Sequence, residues 1–395
     1  MNGYRCISCG IEQSADFAGF VCPACGGNLD ITYDYAAIGP EFGAGEGMFR
    51  YASFLPCPDP GKALPLRIGG TPLYRAKRLG ASAGLRNLWL KDETGNPSAS
   101  IKDRASAVAL LRAVKTGADT IAVASTGNAG SSTACLAAAM SLQAVVYVPA
   151  TAPAAKLTQS LAYGARVLAV RGSYDDAYDL CRRECDERGW FNRSTGLNPF
   201  TREGKKTSSF EIWEQLGRVP DRVIVPTGDG NILSGVWKGW RDLAATGLID
   251  RLPKLDCAQS EGSAAICRTI KQVRAGGGDP DWHSVETETV TATTVADSIA
   301  VDQPRDGLAA VRAVIESGGE AVTVSDQEIL AAIGELASMA GVFAEPAAAT
   351  PWAAAKRLVM DGVIGGDEDV VLLVTGNGLK DAAAVPVGEP ESVDG

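Results

Sequence analysis

Histidine is almost absent: the chain has a single one, His283, in 395 residues. It lies in GGGDPDWHS, a stretch that reads as a loop, so catalysis by a histidine triad or by a multi-histidine metal centre is disfavoured. Long apolar runs are missing as well. None approaches the roughly 18 residues that a membrane-spanning helix needs, and the start, MNGYRCISCG, lacks the apolar centre of a signal peptide. There is no basic excess, because 37 Lys and Arg face 47 Asp and Glu for a formal charge of −10. The acidic residues are spread out, which argues against nucleic acid and against acidic membrane surfaces as partners. Neither G-x-G-x-x-G nor G-x-x-x-x-G-K-[ST] occurs, so dinucleotide and ATP binding lose ground. The expected setting is the cytoplasm, with a small molecule as partner.

Apolar residues make up 46% of the chain and charged residues 21%, as in ordinary globular proteins. The length allows two domains and a small accessory one. Of ten cysteines, Cys6, Cys9, Cys22 and Cys25 form a C-x2-C-x12-C-x2-C pattern, each pair backed by glycine (CISCG, CPACGG). Two such knuckles point four thiolates at one ion and leave no open position, which predicts a structural zinc site rather than a catalytic one. The other six cysteines are scattered and expected to be reduced.

Beyond a Pro/Gly-rich connector (Phe54 to Tyr74), short β-branched runs alternate with alanine-rich helical segments. TIAVAST leads to GSSTACLAAAMSL, AVVYVPA to PAAKLTQSLAYG, ARVLAVRG to SYDDAYDLCRREC, and DRVIVPT to NILSGVWKGWRDL. VVLLVT then reaches TGNGLKD near the end. This alternation predicts parallel βαβ units. Three of the strand ends open into glycine-rich turns: STGNAGSS (125–132), TGDGNI (227–232) and TGNGLKD (375–381). Glycine permits close backbone approach to a ligand, and a following helix aims free N–H groups at an anion.

A fourth strand end carries a lysine. LWLKDE is followed by NPSASIKDRAS (96–106), so Lys102 stands between a strand and a helix start, where α/β sheets place their ligands. With histidine chemistry disfavoured, the lysine amine remains as a carbonyl-directed nucleophile. Beside an anion-cradling loop it points to pyridoxal 5′-phosphate.

These segments resemble the fold-type II pyridoxal-phosphate enzymes, and within them the threonine synthases. NPSASIKDRAS is similar to that family's NPTGSFKDRG, ASTGNAGSS to its asparagine loop, PTGDGNILSGVWKGW to its phosphate loop and TGNGLKD to its TGHGLKD. NPFTREGKKTSSFEI resembles a further segment, and the cysteine knuckles with CGGNLDITYDY an N-terminal extension. The resemblance implies that Lys102 holds the cofactor as an imine and then serves as acid and base. It implies that Asn128 bonds the ring oxygen, that Gly228, Asp229, Gly230 and Asn231 donate N–H groups to the phosphate, and that Thr375 meets the ring nitrogen. The Asp229 side chain is expected to turn away from the phosphate. Ser125, Thr126 and Gly127 would grip the substrate carboxylate. Where the family pattern NP-x-R has an arginine for the substrate's phosphate, this chain has Thr201. In an extended segment a one-residue shift reverses a side chain's direction, so Arg202, Lys205 and Lys206 stand as candidate substitutes.

The expected architecture is an α/β two-domain fold with open, mostly parallel sheets. Residues 1–35 would form a zinc-ribbon-like module, 36–105 with 196–385 a large cofactor domain, 106–195 a small α/β domain, and 386–395 a disordered tail. The expected activity is elimination of phosphate from O-phosphohomoserine with addition of water, by a homodimer acting on an amino acid. Alternatives are elimination or replacement on serine, threonine or a phosphorylated relative, as in dehydratases and cysteate synthase, and a catalytically silent binding protein.

Overall fold

The computed structural model describes residues 1–39, 41–57, 61 and 63–385; the tail expected at 386–395 lies outside them. The strands in chain order are β1 (Gly3–Cys6), β2 (Glu12–Ser14), β3 (Leu29–Thr32), β4 (Leu73–Arg75) and β5 (Asn87–Asp92). Then follow β6 (Thr120–Ala124), β7 (Gln143–Pro149), β8 (Arg166–Val170) and β9 (Phe191–Asn192). The last are β10 (Arg222–Pro226), β11 (Lys254–Ser260), β12 (Ala321–Val324) and β13 (Asp369–Val374).

They build three sheets, in the orders β2-β1-β3, β12-β11-β10-β13-β5-β4 and β8-β7-β6-β9. The first is antiparallel; in the second only the β4–β5 pair is, and the third is parallel throughout. Strands β6, β10 and β13 are buried along their whole length, as expected where helices cover both faces of a parallel sheet. The chain starts the six-stranded sheet with β4 and β5, leaves to build the four-stranded one, and returns with β10. Among the described residues, no helix is long and apolar enough to cross a membrane.

This topology gathers the strand ends singled out in the sequence. The ends of β10, β13 and β5 are neighbours in one sheet. The last two are stitched beyond the strands: Ile101 N–H donates to the Thr375 carbonyl at 2.9 Å and Asn377 N–H to that of Ala99 at 3.1 Å. Ala99 takes φ 64° to make this turn, a left-handed conformation that costs a side-chain-bearing residue about 1–2 kcal/mol.

The helix Lys102–Lys115 begins here, and the helix Phe200–Lys205 crosses it. The segment NPFTREGKK is thus helical rather than extended. Its first turn starts beside Pro199, whose fixed φ suits a helix N-terminus. A Cβ on Gly204 would lie 1.8 Å from the Arg104 carbonyl oxygen, so the crossing depends on a missing side chain. Gly204→Ala is expected to destabilise the protein by about 3 kcal/mol or more through overpacking of backbone on backbone. Gly334→Ala, in a helix where nothing lies within 4 Å of the added carbon, should be neutral or stabilising by up to about 1 kcal/mol. Urea unfolding of both variants checks the pair, and equal effects would refute the packing argument.

Candidate active site

Lys102 opens its helix directly after the β5 end, half-buried. Among the described residues its Nζ makes no hydrogen bond or ion pair. Burial, and then the nearby Arg193 guanidinium, lower its pKa to about 8 against the opposing pull of Asp229 and Glu345. An amine with that pKa keeps a far larger neutral, nucleophilic fraction near physiological pH than an ordinary lysine does.

Facing it is the turn between β10 and the 15-residue helix Asn231–Ala245. A Cβ on Gly228 would meet Ile299 Cα at 2.8 Å, and one on Gly230, which has φ +91°, the Asp306 carbonyl oxygen at 2.7 Å. Only glycines allow this loop to lie so close to the 299–306 segment. Lys102, Thr195, the loop and Ser298 enclose a small cavity at the helix N-terminus, a geometry that favours an anion. The Asp229 carboxylate accepts the Arg305 N–H, and burial pushes its pKa up to about 6.

Thr375 is buried at the β13 end, its hydroxyl without a protein partner among the described residues. Asn128 begins the helix after β6 and donates through Nδ2 to both oxygens of Glu345, at 2.8 and 3.0 Å, and to Ser298 Oγ at 3.4 Å. Thr126, Gly127 and Asn128 line a cleft of about 520 Å³, together with Ala99, Glu345 and Lys380. Ser125 adjoins it, with Oγ accepting the Gly127 N–H at 3.2 Å.

The three cations of REGKK have three fates. Arg202 is held by Asp30 and Asp306 at 3.1 and 2.5 Å, and Lys206 by Glu203 and Asp242 at 2.6 and 2.7 Å. Both are thus occupied by carboxylates rather than free for a substrate. Lys205 alone of the three lacks an ion pair among the described residues, and its Nζ donates to Asn231 Oδ1. Three residues of the site escaped the sequence reading. Glu345 precedes a helix as an ordinary Glu-Pro start, and Arg193 lies in NRSTGLNP with nothing to distinguish it from a surface arginine. Lys380 was within the quoted TGNGLKD. It donates to the Ser98 carbonyl at 2.8 Å, Ser131 Oγ at 3.0 Å and Gln159 Oε1 at 2.5 Å.

Away from the cleft, the four cysteine sulfurs all lie within 4.8 Å of one another. The Cys6–Cys25, Cys9–Cys22 and Cys9–Cys25 separations are 3.5, 3.7 and 3.4 Å.

The family model described as "Pyridoxal-phosphate dependent enzyme" matches residues 64–376. The chain is 38% identical to a threonine synthase of Methanosarcina acetivorans, covering 99% of this chain and 95% of that protein. It is also 38% identical to a threonine synthase of Methanocaldococcus jannaschii, covering 96% and 93%. Among solved structures, maize serine racemase superposes with a TM-score of 0.67 at 21% identity, covering 78% of this chain and 88% of that one. O-ureido-L-serine synthase superposes with a TM-score of 0.64 at 21% identity, covering 78% and 90%. At that identity the likeness is one of fold.

The amine of Lys102 should acetylate, in competition experiments followed by peptide mass, with a half-maximal rate near pH 8, the value to which burial and Arg193 bring it. Because Arg193 lowers that value, Arg193→Gln should move the midpoint upward. A midpoint above 10 in the unaltered protein would contradict this electrostatic account of the site.

Proposed function

Because the chain belongs to the pyridoxal-phosphate dependent enzymes, we propose that it is a threonine synthase, removing phosphate from O-phosphohomoserine and adding water to give threonine. The observation that carries this reading is the partner-free Lys102 amine beside the glycine-rich ends of β10 and β13, with the β6 end on the adjoining cleft wall, in a chain that matches threonine synthases along nearly its whole length.

The residues present fit the cofactor. An unpaired amine with a lowered pKa faces a loop whose Gly228 and Gly230 leave no room for a Cβ, at the N-terminus of a long helix. When bound, pyridoxal phosphate supplies an electron sink that stabilises negative charge at the substrate's α carbon. Lys102 would hold it through Nζ, and a nitrogen with a pKa near 8 is suited to take and return protons at substrate carbons. Backbone N–H groups of Gly228, Asp229, Gly230 and Asn231 would bind its phosphate. The engagement of the Asp229 carboxylate by the Arg305 amide supports that arrangement. Asn128 would bond the ring oxygen, and Thr375 would meet the ring nitrogen with a neutral hydroxyl, which does not fix a proton there as a carboxylate does. Ser125, Thr126 and Gly127, at the cleft wall, would grip the substrate carboxylate. At the cleft mouth Lys156 bridges to Asp297 at 2.8 Å and Asp381 at 3.5 Å, a contact suited to excluding water.

The assignment of 1–35, of 36–105 with 196–385, and of 106–195 to separate units is supported by the membership of their strands in three sheets. In the first unit Cys6, Cys9, Cys22 and Cys25 would hold structural zinc. Four thiolates about 2.3 Å from one ion stand about 3.8 Å apart at tetrahedral angles, close to the sulfur separations found.

Purified protein is expected to release inorganic phosphate from O-phosphohomoserine and form an equal amount of threonine, and Lys102→Ala to abolish both while remaining folded. Release of ammonia and a 2-oxo acid from serine or threonine, without phosphate turnover, would replace this reading by a dehydratase. Metal analysis should find about one zinc per chain, lost from the Cys9→Ser, Cys22→Ser double variant; two disulfides and no metal would refute the zinc site.

A further inference from the structure

Buried cations in this protein are, as a rule, matched by carboxylates. Arg104 has Glu93 and Glu211, Lys91 has Glu211, Lys206 has Glu203 and Asp242, and Lys238 has Asp30 and Glu203. Two fully buried basic side chains beside Lys102 break the rule. Among the described residues Arg193 donates only to uncharged oxygens: Ser106 Oγ at 3.0 Å, Thr195 Oγ1 at 2.9 Å and the Lys102 carbonyl at 3.5 Å. Lys205 donates to the side-chain oxygen of Asn231, which also accepts the Thr201 hydroxyl at 3.2 Å.

The carboxylates nearest these charges are engaged elsewhere. Asp103 accepts Ser98 N–H and Oγ–H at 2.6 and 2.5 Å. Asp306 is shared among Asn28, Arg202, Asn231 and Ser234. Asp229 takes the Arg305 amide. Burying a basic group without a counter-ion is costly, and burial together with the Lys102 and Arg193 charges pushes the Lys205 pKa well down, so that a bound anion would favour its charged form. Lys205 reaches the glycine loop through Asn231, the first residue of its helix, and Arg193 holds Thr195, which shares the small cavity with Lys102 and residues 226–233.

We infer that Arg193 and Lys205 are side-chain ligands for a phosphoryl dianion beside the 228–231 loop, whose amides are given above to the cofactor's phosphate. This rests on the function proposed above, in which both the cofactor and the amino-acid substrate carry a phosphoryl group. A dianion would neutralise the excess charge through strong charge-assisted hydrogen bonds. The two possible sources share that chemistry and are separable by experiment.

The test uses Lys205→Met and Arg193→Gln. Cofactor-free protein is titrated with inorganic phosphate, pyridoxal phosphate and pyridoxal, with thermal melts and cofactor absorbance as readouts, and KM for O-phosphohomoserine is measured on the loaded enzyme. Removing a buried basic group that has no counter-ion should leave the melting temperature of the phosphate-free protein unchanged or higher, whereas loss of a merely structural contact would lower it. The stabilisation gained from inorganic phosphate should shrink. If the cofactor is the source, affinity for pyridoxal phosphate falls at least tenfold while that for pyridoxal does not change. If the substrate is the source, cofactor affinity stays and KM rises at least tenfold. Variants that keep phosphate stabilisation, cofactor affinity and KM within about twofold of the parent overturn the inference, as do variants that only melt earlier. Should the unaltered protein bind no pyridoxal phosphate, the proposed function fails instead, and the inorganic phosphate titration still decides this site. The two variants lie on different elements, so a folding failure of one leaves the other to be read.

Discussion

Two carboxylates close around one guanidinium, and the position of the reactive lysine follows from that contact. Arg104 is fully buried, with Nε and Nη2 donating to Glu93 at 2.7 and 2.9 Å and Nη1 and Nη2 to Glu211 at 2.7 Å each. Lys91 joins Glu211 at 2.7 Å, so two cations balance two anions. Removal of either carboxylate would strand a charge away from water at a cost of about 3–5 kcal/mol. The clamp joins the β5 end, the first turn of the Lys102–Lys115 helix and the helix Thr207–Leu216. Successive helical residues point about 100° apart, and each of the three here has its own target. Arg104 enters the clamp, Asp103 turns back to Ser98, and Lys102 is left toward the crevice.

The same economy of charge organises the surroundings of the crevice. Cations that hold elements together are matched by carboxylates, while those nearest the glycine loop are not. The N-terminal module takes part in this arrangement rather than hanging free of it. Asn28, three residues beyond the last cysteine, donates to Asp306 at 2.9 Å, and Asp306 accepts Asn231 Nδ2 at 2.9 Å. Tyr33 donates to Glu203 at 2.5 Å, on the short helix that carries Lys205. The cysteine knuckles are therefore two hydrogen bonds from the first residue after the glycine loop.

What could be read in the sequence was what local chemistry dictates. Alternation of β-branched and alanine-rich runs marked the strands and helices of the parallel sheets, because strand and helix periods are properties of neighbouring residues. Glycine at the strand ends and the paired cysteines are likewise local signals. Residues recruited through packing left no such trace. Glu345 and Lys380 reach the cleft, and Arg193 the backbone of Lys102, from three distant elements, and an arginine or glutamate has the same spelling at a surface as in a buried site. The REGKK run shows the limit best. Spacing alone could not separate Arg202, Lys205 and Lys206, whereas their positions around a helix turn send two of them to carboxylates and one to the loop.

The central claim is that, among the described lysines around the crevice, the amine left free for the cofactor is that of Lys102. Protein loaded with pyridoxal phosphate, reduced with borohydride and digested answers it directly by peptide mass. The account predicts a single pyridoxyl adduct on the peptide containing Lys102, because Lys91 is tied to Glu211 and Lys380 to three oxygen acceptors. An adduct on Lys91, Lys205 or Lys380, with Lys102 unmodified, would contradict it.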